Sequence, residues 1–276
     1  MLIRLLRLFA RLPLSVNHFF GILVGWIMYL TSPSYAARLR DNLRASGTFA
    51  GVAAYKKMLH HNIAETGKSV SEAFAIWFRP QQEVLEWVRA CHGWQHVEDA
   101  LAAKRGIIFL TPHLGCFEIT AQYYAANYPI SVLYRPPRKT WLEPLIHEGR
   151  ARTKIKLAPT NLQGVKGLLK ALKSGEAIGI LPDQVPSAGE GEWQDFFGRP
   201  AYTMTLVNRL AQSTGAQVLL AYGERLADGT GYVIHIEPST IENGLNASLE
   251  SLIRRCPEQY LWAYNRYKTP RGVTKP

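Results

Sequence analysis

The sequence of 276 residues predicts an α/β fold, with a mostly parallel central sheet flanked by helices and an N-terminal hydrophobic, amphipathic helical arm. From residue 106 onward, short apolar or β-branched runs alternate with stretches of helical periodicity, which is typical of parallel sheets. Residues 35–103 carry apolar side chains at helical spacing. We therefore predict an arm over 1–32 that contacts a membrane and a single α/β domain over 33–276, helical over 35–103.

The arm joins a basic amphipathic segment to an uncharged apolar one. Arg4, Arg7 and Arg11 are spaced three and four residues apart, which aligns them on one face of a helix with leucines and a phenylalanine around the other. Basic-faced amphipathic helices are typical of segments that lie in a membrane interface. After Pro13, residues 19–30 (FFGILVGWIMYL) form an uncharged run that is shorter than the roughly 20 residues needed to span hydrocarbon.

Three interpretations of the arm remain open. A peripheral membrane anchor is favoured. A signal peptide or a single span is the second, because residues 34–36 (SYA) loosely fit a cleavage site and the apolar run can be extended back to Leu14. An ordinary buried helix is the third.

The chain is strongly basic. Its 32 Lys and Arg against 21 Asp and Glu give a net charge of +11, and its 7 Trp, 13 Tyr and 10 Phe exclude a disordered polybasic tail. A folded, basic protein suits an anionic partner, which can be nucleic acid, a membrane, or an acidic protein or ligand. Because no nucleic-acid-binding module or basic stripe with stacking aromatics is present, no nucleic-acid partner is expected. Three scattered cysteines are too few for a disulfide framework.

Five runs in the second half of the chain predict strands. They are GIIFLT (106–111), ISVLY (130–134), AIGILP (177–182), QVLLAYG (217–223) and GYVIHIE (231–237). Between them, residues 162–172 and the segment around 203–213 have helical spacing.

The segment TPHLGCFE, residues 111–118, directly follows the first of these strands. In open α/β sheets, ligands bind beyond the carboxyl ends of the strands. His113 in the turn and Glu118 in the first turn of the next helix can approach each other, since Gly115 permits a sharp turn. A histidine held by a carboxylate is an oriented general base. The alternative is a loop histidine beside a glutamate that only favours the helix dipole.

The sequence gives weaker evidence for other kinds of active site. Cys116 lies inside the motif, but a lone cysteine in an apolar turn is usually a buried side chain. No CxxC pair is present, and no metal site is expected. Glycine-rich nucleotide loops and the G-x-S-x-G motif are also missing from the sequence.

Charged residues also follow the later strands. Arg135 comes just after ISVLY, with Arg150 and Arg152 on the next helical stretch, and Asp183 comes just after AIGILP. If the sheet is parallel, the loops carrying Arg135 and Asp183 open on the same edge as His113. Isolated arginines are more often solvated surface residues, which is the alternative for each of them.

Four motifs in this order, TPHLGCFE, YRPPRKTWLEPLI, LPDQ and PEQYLWAYNRYKTPRG, resemble those of the bacterial lipid A biosynthesis late acyltransferases. That family is part of the lysophospholipid acyltransferase superfamily with its H-x4-[D/E] motif, and the resemblance covers essentially the whole chain. It implies transfer of a fatty acyl chain from acyl carrier protein to a hydroxyl of a lipid A precursor. The place would be the cytoplasmic face of the inner membrane, and no cofactor would be needed.

The resemblance also implies catalytic roles. His113 would be the general base and Glu118 the carboxylate that orients it, with direct attack on the thioester and no acyl-enzyme. Arg135 would bind acceptor phosphate or stabilise developing negative charge. Arg150 and Arg152 would help to bind phosphate or the carrier protein.

Two further residues match positions in the family's motifs. Asp183 matches the acidic position of the superfamily's third motif, where it would position basic groups in the crevice. Arg266 matches the arginine of the C-terminal segment and is assigned to substrate binding. Asn265 departs from the pattern, since many relatives have histidine there, so no acid–base role is expected at that position.

Two alternative functions share some of these features. An acyltransferase for another membrane acceptor, such as a lysophospholipid or glycolipid, would carry the same motifs. A basic membrane-binding or nucleic-acid-binding protein without enzymatic activity would share only the charge and the apolar arm.

Overall fold

The computed structural model describes residues 2–137, 143–152, 154–239, 241 and 244–276, so the middle of the YRPPRKTWLEPLI motif lies outside the described residues. The helices are α1 (Leu2–Ala10), α2 (Leu14–Thr31), α3 (Pro33–Ser46), α4 (Gly51–Phe78), α5 (Gln81–Leu85), α6 (Gln95–Ala102), α7 (Phe117–Ala125), α8 (Glu143–Arg150), α9 (Leu162–Lys173), α10 (Leu206–Thr214) and α11 (Leu245–Ile253). The strands are β1 (Val88–His92), β2 (Ile107–Leu110), β3 (Ile130–Tyr134), β4 (Ile155–Pro159), β5 (Ala177–Ile180), β6 (Gly191–Phe196), β7 (Arg199–Met204), β8 (Gln217–Arg225) and β9 (Tyr232–Pro238).

A seven-stranded sheet in the order β1-β9-β8-β2-β5-β3-β4 forms the centre of the molecule. All its strand pairs are parallel except β8 with β9, and β6 with β7 forms a separate antiparallel hairpin. The predicted α/β class and mostly parallel sheet are confirmed. Because β2, β5 and β3 are neighbours, the loops that follow them open at one edge of the sheet.

Both faces of the sheet are buried, which explains why its central strands are apolar throughout. Ile107 and Phe109 pack on the face covered by α6 and α7, whereas Ile108 and Leu110 pack on the face covered by α9, α10 and α11. The structure differs from the sequence prediction over Val88–His92, which forms an edge strand inside the region predicted to be helical. Side chains of an edge strand are only partly buried, so this segment carries no continuous apolar run.

The apolar helix α2 packs along α4 through small residues. A Cβ on Gly67 would lie 2.0 Å from the carbonyl oxygen of Gly21, and one on Gly25 would lie 2.1 Å from the carbonyl oxygen of Ile63. The two backbones are therefore in direct contact, as small residues permit. On its other side, α2 exposes a row of large apolar side chains. These are Phe19, Phe20, Leu23, Ile27 and Leu30.

By length and composition, α2 is the one helix within the described ranges that could cross a membrane. The same test is passed by the core helix of a soluble protein and by a signal sequence, so it leaves the three interpretations of the arm open.

A buried ionic network joins α2, α4 and β8. Nε and Nη2 of Arg225 donate to the two carboxylate oxygens of Glu72, and Nη1 donates to Glu65 at 2.6 Å. His18 of α2 lies 3.2 Å from Glu72, and the Tyr232 hydroxyl donates to Glu72 at 2.9 Å. Burial alone would raise the pKa of Glu72, but Arg225, with a smaller contribution from His18, lowers that pKa to about 2.

Arg225→Met is expected to lower the free energy of unfolding by about 3–5 kcal/mol, because it leaves the Glu72 carboxylate buried without its main partner. Since the pKa of Glu72 is below its ordinary value of 4.5 in the folded protein, this contribution is present above pH 4.5 and is lost as the pH falls towards 2. The difference between wild type and variant should therefore shrink over that range. Urea denaturation at several pH values measures it.

The matched control is Arg255→Met. Arg255 pairs with Glu237 at 2.5 Å, but its side chain is 50% exposed, so the expected cost is about 1 kcal/mol or less. Equal losses in the two variants would contradict a special role for the buried network.

Candidate active site

His113 lies in the loop beyond the carboxyl end of β2, and the C-terminal segment holds that loop in place. The Leu261 N–H donates to the His113 carbonyl at 3.0 Å, and the Gly115 N–H donates to the Gln259 carbonyl at 3.0 Å. The Cys116 N–H donates to the Gly223 carbonyl at 2.7 Å. The TPHLGCFE and PEQYLW motifs, far apart in the sequence, therefore form one hydrogen-bonded unit.

Gly115 is required by this loop for two reasons. Its φ of +59° lies in the left-handed region, which favours glycine. A Cβ at this position would also lie 2.1 Å from the carbonyl oxygen of Gly223, so no larger residue fits without moving the backbone.

The carboxylate bonded to His113 is Asp183. Nδ1 of His113 donates to Oδ1 of Asp183 at 2.9 Å, and the His113 backbone N–H donates to Oδ2 at 2.9 Å. These residues are 70 positions apart in the sequence and meet because β2 and β5 pair side by side. The Asp183 side chain is thus held at two points, which fixes the orientation of the imidazole.

The surroundings of His113 and Asp183 determine which of their atoms carry a proton. Burial alone would raise the pKa of Asp183, but the charge and hydrogen bonds of His113 lower it, so the carboxylate stays ionised. An ionised carboxylate only accepts hydrogen bonds, which places a proton on Nδ1 and leaves Nε2 as the basic nitrogen. The Gln184 side-chain nitrogen lies 3.4 Å from Nε2, and the Phe117 ring packs against the imidazole at 4.8 Å between centroids.

Glu118 is paired with Arg150 instead of with His113. In the first turn of α7, its carboxylate accepts from Nε of Arg150 at 2.9 and 3.0 Å and also from Nη2. Burial would lower the pKa of Arg150, but Glu118 raises it. Arg150 also lies over the Trp77 ring, with its guanidinium carbon 5.6 Å from the centroid. His113 and Glu118 therefore both lie at the candidate site, but their side chains are not hydrogen-bonded to each other.

Two adjoining cavities surround this site. The outer cavity is open to solvent and is lined by His113, Arg135, Gln184 and Arg209, among others. The inner cavity lies between the sheet and α7. Its lining is mainly apolar and includes Trp94, Phe109, Ala121, Val132, Gly179 and Ile236. Arg150, Leu133 and Leu181 line both cavities, so the Glu118–Arg150 pair stands where they meet.

The remaining sequence-predicted residues lie elsewhere. Arg152 donates to the carbonyls of Arg79 and Ile76 and lines a separate cleft beside α1. Arg266 is 2% exposed and donates to Tyr202, Thr203 and Asn246, so its contacts are with the β6–β7 hairpin and α11. The structure does not bring either arginine to the cavity that contains His113.

Two residues near Asp183 and His113 were missed by the sequence analysis. Arg209 on α10 lines the outer cavity, and no motif distinguishes it from a surface arginine. Tyr260 is buried beside Asp183, and burial together with that carboxylate raises the pKa of the phenol well above its usual value. In the sequence, the feature that could have identified Tyr260 as a site residue is its place in the PEQYLW motif.

Neither cysteine chemistry nor a metal cluster is indicated at this site. Burial raises the pKa of Cys116 well above its usual value, so the thiol stays protonated. Among the residues that the structure describes, no three His, Cys, Asp or Glu side chains are grouped as metal ligands.

A family model and several known proteins are similar to this chain over most of its length. A family model described as bacterial lipid A biosynthesis acyltransferase matches residues 1–269. The lipid A biosynthesis lauroyltransferase of Escherichia coli (strain K12) is 28% identical over 98% of this chain and 92% of that protein. The lipid A biosynthesis palmitoleoyltransferase of the same organism is 29% identical over 95% of this chain and 88% of that protein. The corresponding myristoyltransferase is 24% identical over 68% of this chain and 60% of that protein.

Proposed function

The chain belongs to the bacterial lipid A biosynthesis acyltransferase family, and on this basis we propose that it moves a fatty acyl chain from acyl carrier protein to a hydroxyl of a lipid A precursor. This is a secondary acylation at the cytoplasmic face of the inner membrane. The observation that carries the proposal is an oriented histidine, His113 on Asp183, in an open cavity with arginines that adjoins an apolar one.

The proposed chemistry is direct transfer with His113 as general base. Nε2 takes the proton of the acceptor hydroxyl while the hydroxyl oxygen attacks the thioester carbonyl carbon. The C–S bond then breaks, and the proton on Nε2 passes to the departing thiolate. The products are an ester and the free thiol of the carrier, and no acyl-enzyme forms.

The two carboxylates have different proposed roles. Asp183 holds Nδ1–H and stabilises the imidazolium that forms during attack, which is the role that the family resemblance gives to Glu118. Glu118 fixes Arg150 at the junction of the cavities through several charge-assisted hydrogen bonds. Glu118 is therefore a positioning residue in this proposal, acting through Arg150.

The inner cavity is the proposed site of the donor acyl chain. Its lining is mainly apolar, as the binding site of a hydrocarbon chain requires. A chain that enters past Arg150 and Leu181 would leave its thioester in the neighbouring cavity, which contains His113.

Ala121→Phe is expected to shift donor preference towards shorter acyl chains, because the added ring occupies part of the inner cavity. We expect kcat/KM for the longest accepted donor to fall by about tenfold or more relative to a donor two carbons shorter. Competition between the two donors in one reaction, resolved by product mass, gives this ratio directly. Because a general loss of activity lowers both products alike, an unchanged ratio would contradict the placement of the chain.

The acceptor is proposed to bind in the outer cavity. Arg135 and Arg209 line it, and both are exposed and therefore accessible to a phosphorylated lipid. Arginine suits this ligand because its planar fork matches phosphate oxygens. The net charge of +11 also supports the approach of an acidic carrier protein.

Membrane contact is proposed through the arm. The row of exposed apolar side chains on α2, from Phe19 to Leu30, points away from α4, whereas the opposite face of α2 is buried on it. A helix that packs on the protein with one side and exposes an apolar side is suited to the surface of a bilayer.

Mass spectrometry of lipid A from cells with and without the gene tests the proposed function. We expect deletion to remove one fatty acyl chain from the lipid, and complementation to restore it. A lipid A profile that is unchanged, together with altered acylation of phospholipids, would instead support the alternative acceptor class.

A further inference from the structure

A basic cleft lies outside the two cavities of the candidate active site. It lies beside α1, the C-terminal end of α4 and α8. Its charged lining residues are Arg7, Arg11, Arg79 and Arg152 with Glu83 and Glu148. We call it the α1 cleft. The proposed acyl transfer makes no use of it.

The α1 cleft carries more positive than negative charge. Four guanidinium groups face two carboxylates, which leaves a formal charge of +2. Arg7 is neutralised by Glu148, with Nη2 at 2.7 and 3.0 Å from its two oxygens, and Arg79 by Glu83 at 3.1 Å. Within the described ranges, Arg11 and Arg152 have no carboxylate within ion-pair distance.

Two of these arginines are fixed by the backbone. Arg79 donates from Nε to the Ala10 carbonyl at 2.7 Å and from Nη2 to the Leu12 carbonyl at 2.8 Å. Arg152 donates to the carbonyls of Ile76 and Arg79. Burial lowers the pKa of Arg152 despite the nearby Glu148. Donors that are already ordered bind an anion at a lower entropic cost.

Apolar groups border the same cleft. Trp77, Phe78 and Pro80 line it beside the arginines, and Leu8, the residue after Arg7 on α1, is exposed. An anionic group bound between the arginines would therefore have apolar protein surface next to it. That combination fits a molecule with a phosphate ester and hydrocarbon chains, whereas a free phosphate would use only the arginines.

We propose that the α1 cleft binds the phosphate of an anionic membrane phospholipid. Arg11 and Arg152 would contact the phosphate, and Phe78 and the exposed Leu8 would contact the lipid's hydrocarbon. Binding would fasten α1 to α4 and α8 at the membrane surface. The inference rests on the membrane contact in the proposed function, but it does not depend on acyl transfer.

The test compares two single substitutions on the same helix. Arg11→Gln removes a charge that lines the cleft, and Arg4→Gln removes an exposed charge that does not line it. The full chain is mixed with vesicles of phosphatidylcholine alone or of phosphatidylcholine with phosphatidylglycerol, and bound protein is measured by flotation. The vesicles contain neither acceptor nor donor, so the result is independent of the enzymatic activity.

We expect the wild-type chain to bind more tightly to vesicles with phosphatidylglycerol than to those without it. Arg11→Gln should weaken that binding by about 10- to 100-fold, as for loss of a charge-assisted hydrogen bond. Arg4→Gln should weaken it by about fivefold or less, as for one basic residue near an anionic surface. Circular dichroism of each variant checks that α1 and the rest of the chain stay folded.

Three outcomes would overturn the inference. Equal losses in the two variants would show non-specific attraction to the surface. Equal binding of the wild type to both kinds of vesicle would leave membrane contact intact but contradict a site for an anionic phospholipid. If inorganic phosphate in the buffer abolished the preference for phosphatidylglycerol and raised the melting temperature of the wild type but not of Arg11→Gln, the ligand would be free phosphate.

Discussion

His113→Ala is expected to lower the rate of acyl transfer by about 10²- to 10⁴-fold, the usual contribution of a general base. The imidazole is the basic group of the outer cavity whose position is fixed by Asp183, and the variant leaves the acceptor hydroxyl without a proton acceptor. The rate is measured with purified protein, acyl carrier protein charged with a fatty acid, and a lipid A precursor.

The control for this variant is His92→Ala. His92 is exposed on β1 and does not line either cavity, so near wild-type transfer is expected. A folded His113→Ala protein that retains near wild-type transfer would show that this histidine is not the base.

Asp183→Asn is the second variant with a large expected effect, a loss of about 10²- to 10⁴-fold in kcat. An asparagine amide can donate to Nδ1, which favours the tautomer with its proton on Nε2, and that nitrogen then cannot accept the hydroxyl proton. The buried carboxylate that stabilises the imidazolium is also removed. Side-chain volume is almost unchanged, so the fold should be retained.

Glu118→Gln distinguishes the role of the Glu118 carboxylate from that of the Asp183 carboxylate. It weakens the contact with Arg150 but leaves the hydrogen bond between His113 and Asp183 in place, so a smaller loss of kcat is expected than for Asp183→Asn. The measurement is a full pH–rate profile of each variant. If Glu118→Gln lost more activity than Asp183→Asn and alone changed the profile, Glu118 would be the orienting carboxylate, as the family resemblance implies.

The sequence predicted the central strands because burial on both faces makes them apolar throughout. Segments such as GIIFLT and AIGILP carry that signal even though each strand is short. It failed for β1, for β4 and for the β6–β7 hairpin, which lie at an edge of the sheet or outside it and are only partly buried. The predictable part of the fold is the part whose surroundings are uniformly apolar.

The sequence indicated some residues of the candidate site but not how they pair. The position of His113 after a strand was visible in the sequence, whereas its contact with Asp183 depends on β2 and β5 being neighbours. A single sequence does not contain strand order, so the nearer carboxylate, Glu118, was the natural choice. Arg266 shows the same limit, since a motif match does not say whether an arginine faces a cavity or the protein interior.

The most direct test of the proposed function is transfer by the purified chain from charged acyl carrier protein to a lipid A precursor, followed by mass spectrometry. We expect the precursor to gain one acyl chain for each carrier thiol released, and His113→Ala to abolish both changes together. If the folded wild-type chain leaves the precursor unchanged while it acylates a lysophospholipid offered in the same reaction, the proposed function is contradicted.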